Sequence, residues 1–393
     1  MLQSVAARLA PRAALGKSGA EPIIIAGVLT SSTGLGQSAR LCYQALEQAG
    51  LKVYAVDLSE TLMQARNVDF SFRDGRAMVG NGTIIAHVNS PILPVALLKL
   101  GRALLDGKRI VGVWHWELPR VPASWSGGVP FVDEIWVSSR FTQAAISSIS
   151  AGKPVKVFPH PVAAYTDGIV KDWDKRERSD CFTVLSMFDT GSSFARKNPL
   201  AAIAAFRRAF GNDRSTRLIV KTQNTSLYPA GLRRIEEAVA DADNIDLITQ
   251  SMSREEVASL YAQSDVLLSL HRAEGFGLPI AEAMLAGLPV VATNWSANTD
   301  FLTRDHGFPI DYHLVPALDE QRTYHDPSAS WAEADVEQAA AALVRLRSEE
   351  GLGRRLGACG RQFALDAWGA ERYARSVRAI IDQRPETQSN VAR

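Results

Sequence analysis

The sequence has little cysteine. Its three thiols, Cys42, Cys181 and Cys359, are far apart and show neither metal-like nor redox spacing. A disulfide framework is thereby excluded, and a reducing, cytoplasmic compartment fits. A long hydrophobic run is also missing. No stretch approaches the roughly 18 apolar residues of a membrane span, and the most apolar candidate, 91–105, is broken by Lys99 and Arg102. Neither sign of charge dominates: 43 Lys plus Arg face 42 Asp plus Glu, which argues against nucleic acid as a partner. Metal chemistry finds little footing. Asp172-Trp173-Asp174 lies in a charged stretch and Asp241-Ala242-Asp243 at a helix end, and no His/Cys/carboxylate cluster has zinc-like spacing. Nucleophile-elbow and Walker loops are absent too.

What is present is room for two domains. A chain of 393 residues, 46% hydrophobic and 22% charged, can bury substantial cores and is not broadly disordered. From 23 to 58 the pattern runs strand, loop, helix, strand, with the helix read from Ser38 and the loop from Thr30 to Gly36. Further apolar runs at 83–88, 110–113 and 134–137 alternate with helices, which implies a parallel sheet covered on both faces. After Pro159-His160-Pro161 the charged stretch 171–180 reads as a linker. A second strand–helix series follows from 183 to 293, then irregular chain up to helices near 333–348, 352–365 and 370–382.

The expected division is a flexible basic leader at 1–20, a first domain at 21–165, a linker at 166–180, a second domain at 181–367 and a disordered tail at 384–393. The leader carries Arg8, Arg12 and Lys17 and no acid. It suits either contact with an anionic membrane surface or a plain extension.

The most informative segment is Glu274-Gly275-Phe276-Gly277-Leu278-Pro279-Ile280-Ala281-Glu282. A short apolar strand precedes it, Pro279 suits a first helical position, and Gly287 suits a stop. Two glycines let backbone approach a ligand, and a helix start favours an anion. Glu274, at a strand's carboxyl end, and Glu282, in the expected first helical turn, would repel phosphate. They read better as acceptors for neutral hydroxyls. Phosphate on amides and hydroxyls on carboxylates together describe a nucleotide-sugar.

Residues 264–293, from Ser264-Asp265 through this segment and Ala283-Met284 to Val290-Val291-Ala292-Thr293, resemble the signature of retaining glycosyltransferase family 4, the "group 1" glycosyltransferases. Weaker similarity runs from about 23 to 378. The resemblance implies an α/β GT-B fold: two Rossmann-like, doubly wound parallel-sheet domains facing a central cleft, with a crossover helix at 369–383 returning to the first domain. It implies hexosyl transfer, mannosyl being one candidate, from a nucleoside-diphosphate sugar to a glycan or lipid-linked hydroxyl acceptor, as in bacterial surface polysaccharide or glycolipid synthesis. Retention of configuration, no metal or other cofactor, and a cytoplasmic site at or near the inner membrane face accompany it.

Carried over by this resemblance, Glu282 holds ribose and Glu274 the sugar, while Gly275, Phe276, Gly277 and Leu278 line the donor. Arg196 and Lys197, before the helix at 199–210, would neutralise the departing phosphate. Their adjacency is unlike the usual spaced pair, and on an extended backbone Arg196 would point away. Lys221 is a second candidate cation. His115, after the strand 110–113, is the implied first-domain catalytic histidine, and His87 reads as structural. Gly34 and Gly36 form the implied first-domain glycine loop. Two rival readings stand. Gly34-Leu35-Gly36-Gln37-Ser38-Ala39 with Asp57 formally fits a dinucleotide fingerprint and hence an NAD(P)-dependent oxidoreductase. A non-catalytic sugar-nucleotide-binding protein is the other.

Overall fold

A computed structural model describes residues 8–10, 21–165, 170–176 and 181–381. Most of the expected leader, parts of the 166–180 linker and the 384–393 tail lie outside the described residues.

The chain forms two compact units, one of 1–116, 120–165 and 368–393, the other of 117–119 and 166–367. Unit 1 is built on β1 (Ile23–Gly27), α1 (Gly34–Gln48), β2 (Val53–Asp57), β3 (Gly82–His87), α2 (Leu93–Leu100), β4 (Lys108–Val113), β5 (Glu134–Val137), α3 (Arg140–Ser147) and β6 (Val155–Val157). The strands form one parallel sheet in the order β2-β1-β3-β4-β5-β6. All five residues of β1, Ile-Ile-Ile-Ala-Gly, are buried. That is the signature of a central strand covered on both faces.

The helix after β1 begins earlier than the Ser38 reading placed it. Thr33 is its cap, its side chain accepting from Gly36 N, and the helix starts at Gly34. Thr33 is a competent cap five residues upstream, so Ser38 is left inside the helix. There its hydroxyl is buried and hydrogen-bonds His87 Nδ1 at 2.8 Å.

Unit 2 carries β7 (Phe182–Asp189), α4 (Phe194–Lys197), α5 (Pro199–Phe210), β8 (Thr216–Gln223), α6 (Pro229–Val239), β9 (Ile245–Ile248), α7 (Arg254–Gln263), β10 (Val266–Ser269), α8 (Leu278–Leu285), β11 (Val290–Thr293) and β12 (Gly307–Ile310). Its parallel sheet runs β12-β11-β10-β7-β8-β9. The chain starts in the middle at β7, winds outward through β8 and β9, then returns to β10 and winds the other way. That is the doubly wound order with its switch point between β7 and β10, where ligands of open α/β sheets sit.

Between Thr293 and Val336 the expectation of irregular chain is corrected. Strand β12 lies there, and an antiparallel hairpin follows, β13 (Tyr312–Ala317) with β14 (Asp326–Ala334). The sequence hid both for physical reasons. Pro309 sits in β12, which is tolerable because β12 is an edge strand. Leu314, in β13, is 51% exposed, so no alternating apolar face is legible. Helix α9 (Val336–Ser348) then begins on the Asp335 cap, and α10 (Leu352–Trp368) follows.

The C-terminal helix α11 (Ala370–Ile381) belongs to unit 1. Tyr373, Ala374, Val377, Ile380 and Ile381 enter the same core as Ala39, Cys42 and Leu46 of α1. Tyr373 Oη lies 3.3 Å from Cys42 Sγ. In the charged stretch before β7, Lys171 is not solvated: it is buried and pairs with Asp265 at 3.0 Å.

Candidate active site

The Glu274–Glu282 loop joins β10 to α8 beside the switch point. Gly277 adopts φ +92°, a left-handed turn that favours glycine, and its carbonyl accepts from Ile280 N and Ala281 N as α8 begins. Pro279 occupies the first turn, where a missing N–H is harmless. A recess of about 320 Å³, counting space open to solvent, is lined by Ser186, Met187 and Phe188 of β7, Ser269 of β10, and Lys197, Glu274, Gly277, Pro279 and Ile280.

Glu274 anchors it. Its N–H donates to Ser296 Oγ at 2.8 Å. Its carboxylate meets Lys197 Nζ at 2.5 Å and Arg196 Nη1 at 3.3 Å. Burial alone would raise its pKa, but Lys197 and Arg196 outweigh burial and hold it at about 2. Burial and the neighbouring guanidinium push Lys197 below the ordinary lysine range, with Glu274 pulling the other way. Against a carboxylate ionised at neutral pH, the short contact keeps the pair charged.

The expectation that Arg196 points away is overturned. Residues 194–197 are not extended but form one helical turn, capped by Ser193, whose side chain accepts from Arg196 N at 3.2 Å. Adjacent side chains on that turn both reach Glu274. Arg196 also donates to Ala273 O at 2.8 Å and to Ser192 O at 2.9 Å, and is 1% exposed. Burial disfavours its charge, yet Glu274 and its neighbours raise its pKa further.

Glu282 is placed differently. It stands one turn into α8 rather than in the first turn, and is not among the residues lining the recess. Tyr261 Oη donates to it at 2.9 Å. Burial lifts its pKa to about 7 against that hydrogen bond. The two acids of the signature are thus brought to the same helix start but not to the same wall.

Lys221 is likewise not a recess residue. Buried in β8, its ammonium donates to Thr222 O at 2.8 Å, and burial lowers its pKa. Phe276 is 5% exposed and packs on Phe301, so its ring serves the core. Leu278 opens α8, and Gly275 is buried in the loop.

In unit 1, His87 ends β3, His115 follows β4 and His160 follows β6, all at the carboxyl end of the sheet. The His115 and His160 rings are 5.2 Å apart. The Nε2 atoms of His87 and His115 are buried without a hydrogen-bond partner. Burial lowers the pKa of His87 to about 3 and of His115 to about 4, and takes His160 well below the usual value. Trp114 and Trp116 both pack edge-on against Trp125.

The glycine loop divides. A side chain at Gly36 would strike Ser31 O at 2.3 Å and Val28 O at 2.6 Å, so that glycine is required by close packing, and its amide is taken by Thr33. Gly34 faces open space. Asp57, the acid of the dinucleotide reading, accepts from Thr30 Oγ1 at 2.8 Å and Ser59 Oγ at 2.7 Å, which ties it into the loop rather than leaving it for a ribose. Among the described residues no group of three or more His, Cys, Asp and Glu side chains is placed to hold a metal ion, and no helix is long and apolar enough to cross a membrane.

Sequence reasoning missed Ser186 and Ser269, although their strand-end positions at the switch point were a usable signal. It also missed Tyr261 and Tyr324, for which no local signal exists.

The fold is GT-B. The chain superposes on sucrose-phosphate synthase from Thermosynechococcus elongatus with a TM-score of 0.65, at 16% identity, covering 91% of this chain and 97% of that one. Residues 192–325, which hold Lys197, Glu274 and Glu282, match the family model "Glycosyl transferases group 1". Among curated proteins, the lipopolysaccharide core biosynthesis mannosyltransferase LpsB of Rhizobium meliloti (strain 1021) is 29% identical over 164 residues, 42% of each chain. The MMP alpha-(1->4)-mannosyltransferase of Mycolicibacterium hassiacum is 28% identical over 187 residues, 47% of this chain and 40% of the relative. The chain therefore spans about two fifths of the curated relatives it matches.

Proposed function

We propose that the protein is a glycosyltransferase that moves a hexose from a nucleoside-diphosphate sugar to a hydroxyl of a glycan or lipid-linked acceptor. One observation carries this reading: Glu274 gripped by Lys197 and Arg196 in a recess at the switch point of a doubly wound sheet. Two cations against one carboxylate leave a net positive charge there. A departing diphosphate gathers negative charge, and fixed cations lower the barrier to its departure. Glu274, kept ionised, accepts hydrogen bonds from the sugar's hydroxyls.

Glu282 takes the ribose hydroxyls, and the backbone of Gly275, Phe276 and Gly277 meets sugar and phosphate. His115, a neutral imidazole, is assigned to a substrate hydroxyl, which it can serve as donor or acceptor. Arg196 and Lys197 supply the phosphate's counter-charge, so the reading requires no metal. Transfer with retention, as in glycosyltransferase family 4, follows a front-face route in which the leaving phosphate assists acceptor deprotonation. Mannose is the first sugar to try, because two of the curated relatives are named mannosyltransferases. Peripheral contact with a membrane surface is part of the proposal only through the acceptor.

The test is a screen of nucleoside-diphosphate sugars, with and without lipid-linked acceptor, measuring released nucleoside diphosphate. Release from at least one donor, lost in Lys197→Ala, is expected. Tight donor binding without turnover on any acceptor would instead favour the non-catalytic reading, and NAD binding without sugar-nucleotide binding the oxidoreductase.

A further inference from the structure

The turn that bears Arg196 and Lys197 cannot hold itself. Helix α4 is four residues long, too short to be stable alone. It is flanked by Ser193 at φ +66° and Asn198 at φ +50°, two side-chain-bearing residues in the sparsely populated left-handed region. Contacts from outside must stabilise it, and the β13–β14 hairpin supplies them at both ends.

At the hairpin's base, Glu333 accepts from Asn198 Nδ2 at 3.0 Å and from Arg272 Nε at 2.7 Å. At its tip, Asp319 is 1% exposed and accepts from Gln321 N at 3.2 Å and Tyr324 N at 3.0 Å, which folds the connection back. Gln321 then bridges Thr190 and Phe194. Its Nε2 donates to Thr190 O at 3.0 Å, and its Oε1 accepts from Phe194 N at 2.6 Å, one of the amides that the start of α4 leaves unpaired. The Tyr324 ring lies 5.0 Å from the Arg196 guanidinium carbon. Arg196 is bonded through its edges to Ala273, Ser192 and Glu274, so the ring restrains the remaining direction, its face.

We propose that Tyr324 and Gln321 are positioning residues: the hairpin tip clamps the Arg196–Lys197 turn so that Arg196 holds Glu274 from behind and Lys197 stays directed at the recess that receives the donor's phosphates. The role rests on the transferase reading given above, and its chemical requirement is an aromatic face at position 324.

Two measurements test it on the full chain: donor kinetics by nucleoside-diphosphate release, and calorimetric binding of inorganic pyrophosphate. Tyr324→Ala and Tyr324→Leu should each lose about tenfold in kcat/KM and a similar factor in pyrophosphate affinity. Tyr324→Phe should stay within about twofold of wild type, a rescue that bulk alone, in the leucine variant, does not give. Gln321→Ala should cost about threefold. In an Arg196→Ala background Tyr324→Ala should add little, since the ring acts through that guanidinium. Losses that multiply independently, or a leucine variant equal to phenylalanine, would overturn the clamp while leaving the transferase intact. A wild type that binds pyrophosphate, with Tyr324→Ala weakened, but turns over no donor would keep the clamp and remove the transferase. Neither turnover nor pyrophosphate binding would remove both.

Discussion

The two six-stranded sheets are both parallel, yet the side chains at their carboxyl ends are of opposite kinds. In unit 1, His87, His115 and His160 gather there, and burial keeps all three neutral. In unit 2, Glu274, Lys197 and Arg196 gather at the equivalent end, and there the mutual attraction of opposite charges overcomes burial. Desolvation acts on both sets alike. Whether a buried group stays charged depends on whether a counter-charge is within about 4 Å. Topology chooses where a site can be; the partner decides its charge.

Removing the carboxylate from the charged end should have the largest effect. Glu274→Ala leaves Arg196 and Lys197 buried beside each other, so the fold should lose about 3 kcal/mol in urea unfolding. Donor turnover should fall about 100-fold or more. A variant within threefold of wild type would end the contrast drawn above.

The two glutamates of the loop give a sharper comparison, since their surroundings push them apart. Glu274 titrates at about 2 in the folded chain, below its unfolded value, so its stabilisation is present above about pH 4.5 and is lost as pH falls toward 2. Glu282 titrates at about 7, above its unfolded value. Between about pH 4.5 and 7 the folded state therefore keeps a proton that the unfolded chain has released, and stability declines as pH rises through that window. Glu282→Gln should flatten this decline and gain about 1–3 kcal/mol at pH 8, read from unfolding curves at several pH values. An unchanged slope would show that Glu282 is solvated.

The histidines should behave in the opposite sense to Glu282. His115 titrates at about 4 in the folded chain, so its contribution is complete above about pH 6.5 and is lost as pH falls toward 4. His115→Asn should make stability less acid-sensitive in that range, by about 1 kcal/mol or more. Because His87 and His115 are already neutral, neither should place an inflection between pH 6 and 8 in the rate profile of the wild type. Such an inflection, if abolished by His115→Asn, would mean that the cluster takes up a proton in the range where donor turnover is measured.

The smallest effect separates the glycines. Gly34→Ala enters open space in the first turn of α1 and should gain up to about 1 kcal/mol, while Gly36→Ala meets two carbonyl oxygens and should destabilise. A Gly34→Ala variant that is stable but binds donor poorly would support the role that the family resemblance implies.

Much of this was legible in the residues. Apolar runs bounded by polar residues marked the strands of both sheets except the edge strands β6 and β12, because a strand buried on both faces has no polar position to spare. Gly277, Pro279 and Glu274 marked the loop, because a left-handed turn followed by a helix start tolerates few other residues. Other features were illegible for equally definite reasons. Two adequate caps, Thr33 and Ser38, compete for one helix start, and only the packing of Gly36 against Val28 and Ser31 distinguishes them. The hairpin has no apolar stripe to display. The turn at 194–197 depends on residues more than a hundred positions away, so neither its helical form nor the direction of Arg196 is legible from its neighbours along the chain.

Taken alone, then, the order of residues determined the alternation of strands and helices, the place of the glycine-bearing loop and the presence of two acids eight positions apart. Tertiary structure decided which of those acids is ionised and which carries a proton near neutrality, which cations reach them, and what holds those cations still. The physical reason is range. Backbone preference and hydrophobic period act over a few neighbours along the chain, whereas desolvation and Coulomb attraction act through space between residues that folding alone brings together.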